Sequence, residues 1–182
     1  MIRLFTALLI PDEIKQQLLS TCYSLVENPE QYRWAGPDNI HLTLKFIGEV
    51  DEDLTEPIKD ELAFTEEFEH FDCTISRFGF FFRDGEPKIL WARLNTDKRI
   101  HTLVEELNHR LSIFSIPVEK RRFKPHLTML RLKQHPGEEF INKFKVHSFE
   151  KINFELITFA LVKSELFQSG ARYTEIKKYN LM

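Results

Sequence analysis

The sequence predicts an α+β fold: two similar lobes in a pseudo-twofold arrangement, each an antiparallel sheet backed by helices, with a central cleft between the lobes. Three observations lead there. His41-Leu42-Thr43-Leu44 and His126-Leu127-Thr128-Met129 repeat one pattern of histidine, aliphatic, threonine, aliphatic, at a distance of 126 − 41 = 85 residues in a chain of 182. Around each copy the apolar residues alternate with period two, as in a strand with one buried face. Segments with helical spacing and further strand-like runs lie near each copy, so residues 1–182 read as one two-lobed domain.

The elements follow in order. Ile2 to Leu9 reads as a strand, and Pro11 to about Val26 as a helix with proline in its first turn, Asp12 and Glu13 at its positive end, and a stripe of Ile14, Leu18, Leu19, Leu25 and Val26. After a connection over Asn28 to Pro37, Ile40 to Ile47 forms the first motif strand, with Ile40, Leu42, Leu44 and Phe46 on the core side and His41, Thr43 and Lys45 on the other. Leu54, Ile58 and Leu62 predict a helix over Asp53 to Thr65. Phe71 to Phe82 and Ile89 to Leu94 are extended, joined by a turn at Arg83-Asp84-Gly85-Glu86-Pro87. Ile100, Leu103, Val104, Leu107 and Leu111 predict a helix over Asp97 to Ile113, ahead of the second motif strand. Lys151 to Val162 and Arg172 to Lys178 complete the set as two long strands around a Ser169-Gly170 loop.

In the second motif strand simple alternation would turn Arg131 toward the core, where an unpaired guanidinium is very costly. A bulge or sharp twist near Met129 to Arg131 would resolve the conflict and turn Arg131 toward His126 and Thr128; the alternative is a strand that ends at Met129 with Arg131 in solvent.

Composition narrows the class of protein. Hydrophobic residues at 42% and charged residues at 29% suit a globular protein, and no run approaches the roughly 20 apolar residues of a membrane helix. Two widely spaced cysteines, Cys22 and Cys73, form neither a disulfide framework nor a metal motif, which points to a reducing cytoplasm. The net charge of −3 argues against a general polyanion binder, but it hides a division. Glu49 to Asp72 carries eleven acids and one lysine, whereas Glu119 to Lys133 carries six basic residues and one acid, and the second motif lies inside that basic segment.

Two histidines of this kind suit a reaction in which one oxygen gains a proton while another loses one, because imidazole titrates near neutrality. In-line attack on a phosphodiester has that requirement. Thr43 and Thr128 would donate hydrogen bonds to the phosphoryl oxygens, and Arg131 would offset their charge, with Lys45 and Lys124 as weaker candidates. The His-x-Thr spacing is not a metal pattern, so no cofactor or metal is expected. His70, His101, His109, His135 and His147 lack such partners and are assigned to the surface. Most of the seventeen phenylalanines are assigned to core packing, Phe46 among them, while Trp34 or Tyr173 is a candidate to flank the cleft.

The blocks Arg33-Trp34, Asn39-Ile40-His41-Leu42-Thr43-Leu44-Lys45-Phe46-Ile47-Gly48-Glu49-Val50, Leu90-Trp91-Ala92, Arg122-Phe123-Lys124-Pro125-His126-Leu127-Thr128-Met129 with Arg131, and Gly170-Ala171-Arg172-Tyr173 together resemble the RNA 2′,3′-cyclic phosphodiesterases of the two-histidine phosphoesterase superfamily, once called 2′–5′ RNA ligases. The resemblance implies metal-free hydrolysis of RNA 2′,3′-cyclic phosphate ends to 2′-phosphate ends. It implies His41 as proton donor to the departing 3′ oxygen, His126 as the acceptor that activates water, and Thr43, Thr128 and Arg131 as the phosphate holders. Two departures stand out: Lys45 lies where many relatives have arginine, which would change how an RNA strand is held, and Leu130 where a small residue is frequent, which would narrow the cleft. The partners expected are RNA ends or nucleotides with a 2′,3′-cyclic phosphate, with neither a membrane nor an obligatory protein partner. Two other readings stand beside this one: a phosphodiesterase for a small cyclic nucleotide or 2′–5′ oligoadenylate, and a non-catalytic RNA or nucleotide binding module. A pure binder has no need for paired proton-transfer groups.

Overall fold

The computed structural model describes residues 1–168 and 170–182, so Ser169 of the anticipated loop lies outside them, while Gly170 already begins a strand. Eight strands run in chain order: β1 (Ile2–Leu9), β2 (His41–Val50), β3 (Phe71–Arg83), β4 (Glu86–Thr96), β5 (His126–Arg131), β6 (Ile152–Leu156), β7 (Thr158–Phe167) and β8 (Gly170–Asn180). Four α-helices accompany them: α1 (Asp12–Ser24), α2 (Thr55–Leu62), α3 (Arg99–Leu111) and α4 (Glu138–Val146). The strands form two four-stranded sheets, in orders β2-β1-β7-β8 and β5-β4-β3-β6, with every pairing antiparallel. The α+β architecture and the rough twofold are as the sequence predicts: each motif strand is the outer strand of its sheet, and the two approach one another at the centre of the molecule.

The lobes are not sequence halves. The segment expected as one long strand from Lys151 to Val162 breaks at Ile157, which is exposed, and the break hands the chain from one sheet to the other. β6 finishes the sheet of the second motif, whereas β7 and β8 return to complete the sheet of the first. Helix α4 has no counterpart among the expected elements. It carries only three buried residues, Phe140, Ile141 and Phe144, and its phenylalanines pack against Phe78 and Phe80 of β3.

Asp84-Gly85, at the tip of the β3–β4 hairpin, has φ values of 54° and 79°, the left-handed pair that a tight two-residue connection requires and that Asp-Gly adopts readily. Beneath the sheets, a continuous core joins residues of both lobes, among them Leu4, Leu8, Leu42, Leu90, Leu127, Phe71, Leu103 and Phe159. A second, small apolar cluster of Phe5, Ala7, Ala160 and Val162 lies on the opposite face of the first sheet, the face that carries His41 and Thr43.

Candidate active site

Direct cross-strand partners share a face of a sheet. In the first sheet His41 pairs with Leu9 and Thr43 with Ala7; in the second His126 pairs with Arg93 and Thr128 with Trp91. Leu42 and Leu127, which lie between histidine and threonine, are fully buried on the other side. Each copy therefore holds an imidazole and a hydroxyl at the cleft on a fixed apolar backing, and all four polar side chains are half-buried.

Past the threonine both strands carry the same irregularity. The β4–β5 register runs Trp91 to Thr128 and then Leu90 to Leu130, which leaves Met129 as an extra residue. The β1–β2 register runs Ala7 to Thr43 and then Thr6 to Lys45, which leaves Leu44 extra at the matching place. A bulge of this kind reverses the alternation beyond it. Leu130 is accordingly buried in the core and Arg131 is exposed on the face of His126 and Thr128, opposite Ile89. Leu130 does not narrow the cleft.

The bulge in the first copy corrects two assignments. Lys45 is not on the His41 face; it is buried, and its Nζ donates to Asn108 Oδ1 at 2.8 Å and to the Pro117 carbonyl at 2.7 Å. It ties β2 to the end of α3 and the loop behind it, and lies on the side away from His41 and Thr43. Phe46 is not core: it is 65% exposed and lies on the cleft face beside Phe5, with ring centroids 6.0 Å apart. Phe46 occupies in the first copy the place that Arg131 has in the second.

The histidines differ in their surroundings. His41 stacks on Phe5 at 4.8 Å and meets the edge of Tyr173 at 5.2 Å, and among the described residues its ring nitrogens have no hydrogen-bond partner. Burial, with the charges of Lys15 and Arg131 added, pushes its pKa down to about 4. His126 Nδ1 lies 2.7 Å from the Lys124 carbonyl, an acceptor only, so Nδ1 carries the proton and Nε2 presents a lone pair to the cleft. Phe81 meets that ring edge-on at 4.9 Å. Burial lowers the His126 pKa, the bond to Lys124 opposes this, and Arg131 lowers it further. The guanidinium of Arg131 thus acts on both imidazoles, which places one cation within electrostatic reach of both rings.

Two residues at the site, Phe5 and Lys15, carry no signal in the sequence, whereas Tyr173 lies in one of the blocks that carry the resemblance. Phe5 and Tyr173 reach His41 from β1 and β8, and a hollow beside His41 is lined by Lys15, Asp38, Tyr173 and Glu175 among others. Tyr173 flanks the cleft; Trp34 instead packs with Tyr23, Tyr32 and Phe144 and donates Nε1 to the Pro29 carbonyl. Among the described residues, one group of three potential metal donors converges, His70, Asp72 and Glu155, and it contains neither motif histidine.

Two bulged, twofold-related strands that hold His-x-Thr pairs at one cleft define a two-histidine phosphoesterase. The LigT like phosphoesterase family model matches residues 8–91 and 94–173, one motif in each stretch, and the chain belongs to that family. An RNA 2′,3′-cyclic phosphodiesterase of Thermotoga maritima is 30% identical over 80% of this chain and 86% of its own length. One of Thermus thermophilus is 28% identical over 98% and 90%. The crystal structure of the Thermus thermophilus protein TT0787 superimposes with a TM-score of 0.83 at 26% identity, covering 99% of this chain and 98% of that one. Escherichia coli LigT complexed with 3′-AMP shares the fold at 24% identity, with a TM-score of 0.78 over 100% and 98%. Among the described residues, no helix is long and apolar enough to cross a membrane.

Proposed function

We propose that this phosphoesterase hydrolyses RNA ends bearing a 2′,3′-cyclic phosphate to 2′-phosphate ends by metal-independent general acid/base catalysis, with residues 1–182 acting as one two-lobed unit. The observation that carries the reading is the pair of matching bulged strands, adjacent outer strands of the two sheets, each with an imidazole and a hydroxyl on one face, and a guanidinium on the second that acts on both rings. The names of the Thermotoga maritima and Thermus thermophilus relatives support the substrate.

His126, held with Nδ1 protonated, takes a proton from the attacking water at Nε2. His41 gives its proton to the departing 3′ oxygen. A neutral His41 in the free protein is consistent with that role once substrate is bound: the phosphodiester anion raises the imidazole pKa, so the acid is charged where it is needed. Thr43, Thr128 and Arg131 hold the nonbridging oxygens and offset their growing charge. Among the described residues neither imidazole has convergent metal donors around it, and Arg131 supplies the positive charge that a Lewis acid would otherwise provide.

The test is to incubate the protein with an oligonucleotide ending in a 2′,3′-cyclic phosphate and identify the product. A 2′-phosphate, formed undiminished in the presence of a chelator, is the expected result. A 3′-phosphate would reverse the proposed leaving group, and loss of turnover with chelator would contradict the metal-free route.

A further inference from the structure

The β-sheet that carries His126 continues away from the cleft as a row of like charges. Arg93 of β4 is the direct cross-strand partner of His126, and Arg77 of β3 is in turn the partner of Arg93. Because direct partners share a face, Arg77, Arg93 and His126 form one line across three strands on the cleft side. Both arginines are exposed. Among the described residues neither makes an ion pair or a side-chain hydrogen bond, while Arg99 and Arg110 at other places are each held by two carboxylates. Like charges directly opposite on a sheet repel, so this pair costs stability in the free protein.

The line does not end at the sheet. The main chain that leads into His126 bonds to β4, with Leu94 N donating to the Pro125 carbonyl, so the loop before it lies along the same strand. That loop carries Lys120, Arg121, Arg122 and Lys124, all exposed. In the other direction the face turns acidic at Asp72 and Glu155, a cross-strand pair further along β3. The positive surface is therefore a bounded track that starts at His126, crosses Arg93 and Arg77, and is flanked by the basic loop.

We infer that Arg77 and Arg93 of this track hold the phosphates of the RNA strand on the 5′ side of the cyclic end, so that a polynucleotide is favoured over a free cyclic mononucleotide. The inference rests on the phosphodiesterase reading and adds the residues that hold the strand upstream of the reacting phosphate. A cyclic mononucleotide has one phosphate, which the two His-x-Thr pairs and Arg131 would occupy, and it leaves Arg77 and Arg93 with nothing to neutralise. A strand continuing across β4 and β3 supplies a phosphate to each. Single-stranded nucleic acid is commonly held by such a positive groove with half-buried aromatic rings beside it, and here Trp91 and Phe81 lie on the same face, 5.3 Å apart.

The experiment compares a 2′,3′-cyclic mononucleotide with a short RNA carrying the same cyclic end, using the wild type, Arg77→Gln, Arg93→Gln and the double variant, over a range of salt. For the wild type, kcat/KM on the RNA exceeds that on the mononucleotide and falls more steeply with salt, each phosphate contact adding about 0.7 to the slope of log kcat/KM against log salt. The double variant loses about tenfold on the RNA with a shallower slope. Arg77→Gln, one strand removed from His126, leaves mononucleotide turnover at the wild-type level, and its melting temperature does not fall.

Equal losses on both substrates would overturn the inference by placing the arginines at the reacting phosphate. No loss on either, or a wild type that does not distinguish RNA from mononucleotide, would overturn it while the phosphodiesterase reading stands. Should the wild type hydrolyse neither substrate, that reading fails. The track is then judged by fluorescence anisotropy with an RNA bearing an uncleavable 3′-phosphate: weaker, less salt-sensitive binding by the double variant supports the track, and unchanged binding refutes it.

Discussion

The two motif strands share a backbone and differ in chemistry. Both begin with histidine and threonine at a cleft, both carry an extra residue after the threonine, and both bury the next residue and expose the one after it. On that common path the first copy places Lys45 and Phe46, and the second Leu130 and Arg131. The first histidine lies between Phe5 and Tyr173 with no carbonyl partner, whereas the second is fixed by the Lys124 carbonyl. A pseudo-twofold thus keeps the geometry while letting the halves specialise: one ring is tuned by its apolar setting, the other by a hydrogen bond that fixes its tautomer.

The largest expected effect falls on what the copies share. His41→Ala and His126→Ala each lower kcat by about 10²–10⁴-fold while circular dichroism stays unchanged. The double variant loses far less than the product of the two, because the rings act on one reaction. Additive losses would mean that they serve separate events. The next effect falls on what the copies do not share: Arg131→Ala lowers kcat/KM by about 10²–10³-fold, while Phe46→Ala, at the matching position, leaves kcat near the wild-type value.

Lys45 separates a structural cation from a functional one. Lys45→Ala leaves Asn108 Oδ1 without its lysine donor and the Pro117 carbonyl unpaired, so stability falls by about 2–4 kcal/mol in urea denaturation. KM measured well below the melting temperature changes little. A large rise in KM with unchanged stability would return Lys45 to the phosphate site.

The smallest expected effect is on stability against pH. The folded-state pKa of His41, about 4, lies below its unfolded value of 6.5, so the unfolded chain binds the proton more readily. The stability contributed by neutral His41 is complete above pH 6.5 and is lost as pH falls toward 4, by up to about 3 kcal/mol. His41→Asn shows a shallower acid slope in that window, and an identical slope would mean that the ring is not desolvated in the fold.

Much of this is legible in the sequence because a period-two strand writes its faces into the residue order. The strand positions of His41, Thr43, His126 and Thr128 follow from that alone, and the bulge that exposes Arg131 follows from the cost of burying a guanidinium. The same argument gives no warning in the first copy: lysine after leucine and phenylalanine after lysine fit simple alternation, which puts Lys45 outside and Phe46 inside. Applying the second copy's bulge to the first corrects both. The return of β7 and β8 to the first sheet is hidden because it turns on the single residue Ile157. Phe5 and Lys15 escape a sequence reading because their closeness to His41 comes from long-range pairing and helix placement, which leave no local pattern.

The central claim is that His41 delivers a proton to the departing 3′ oxygen while His126 withdraws one from water, and a substrate with that oxygen replaced by sulfur tests it directly. A thiolate leaves without protonation. On this substrate His41→Ala should regain most of the activity that it loses on the oxygen substrate, while His126→Ala stays defective on both. Rescue of His126→Ala in place of His41→Ala, or of neither, would contradict the assignment.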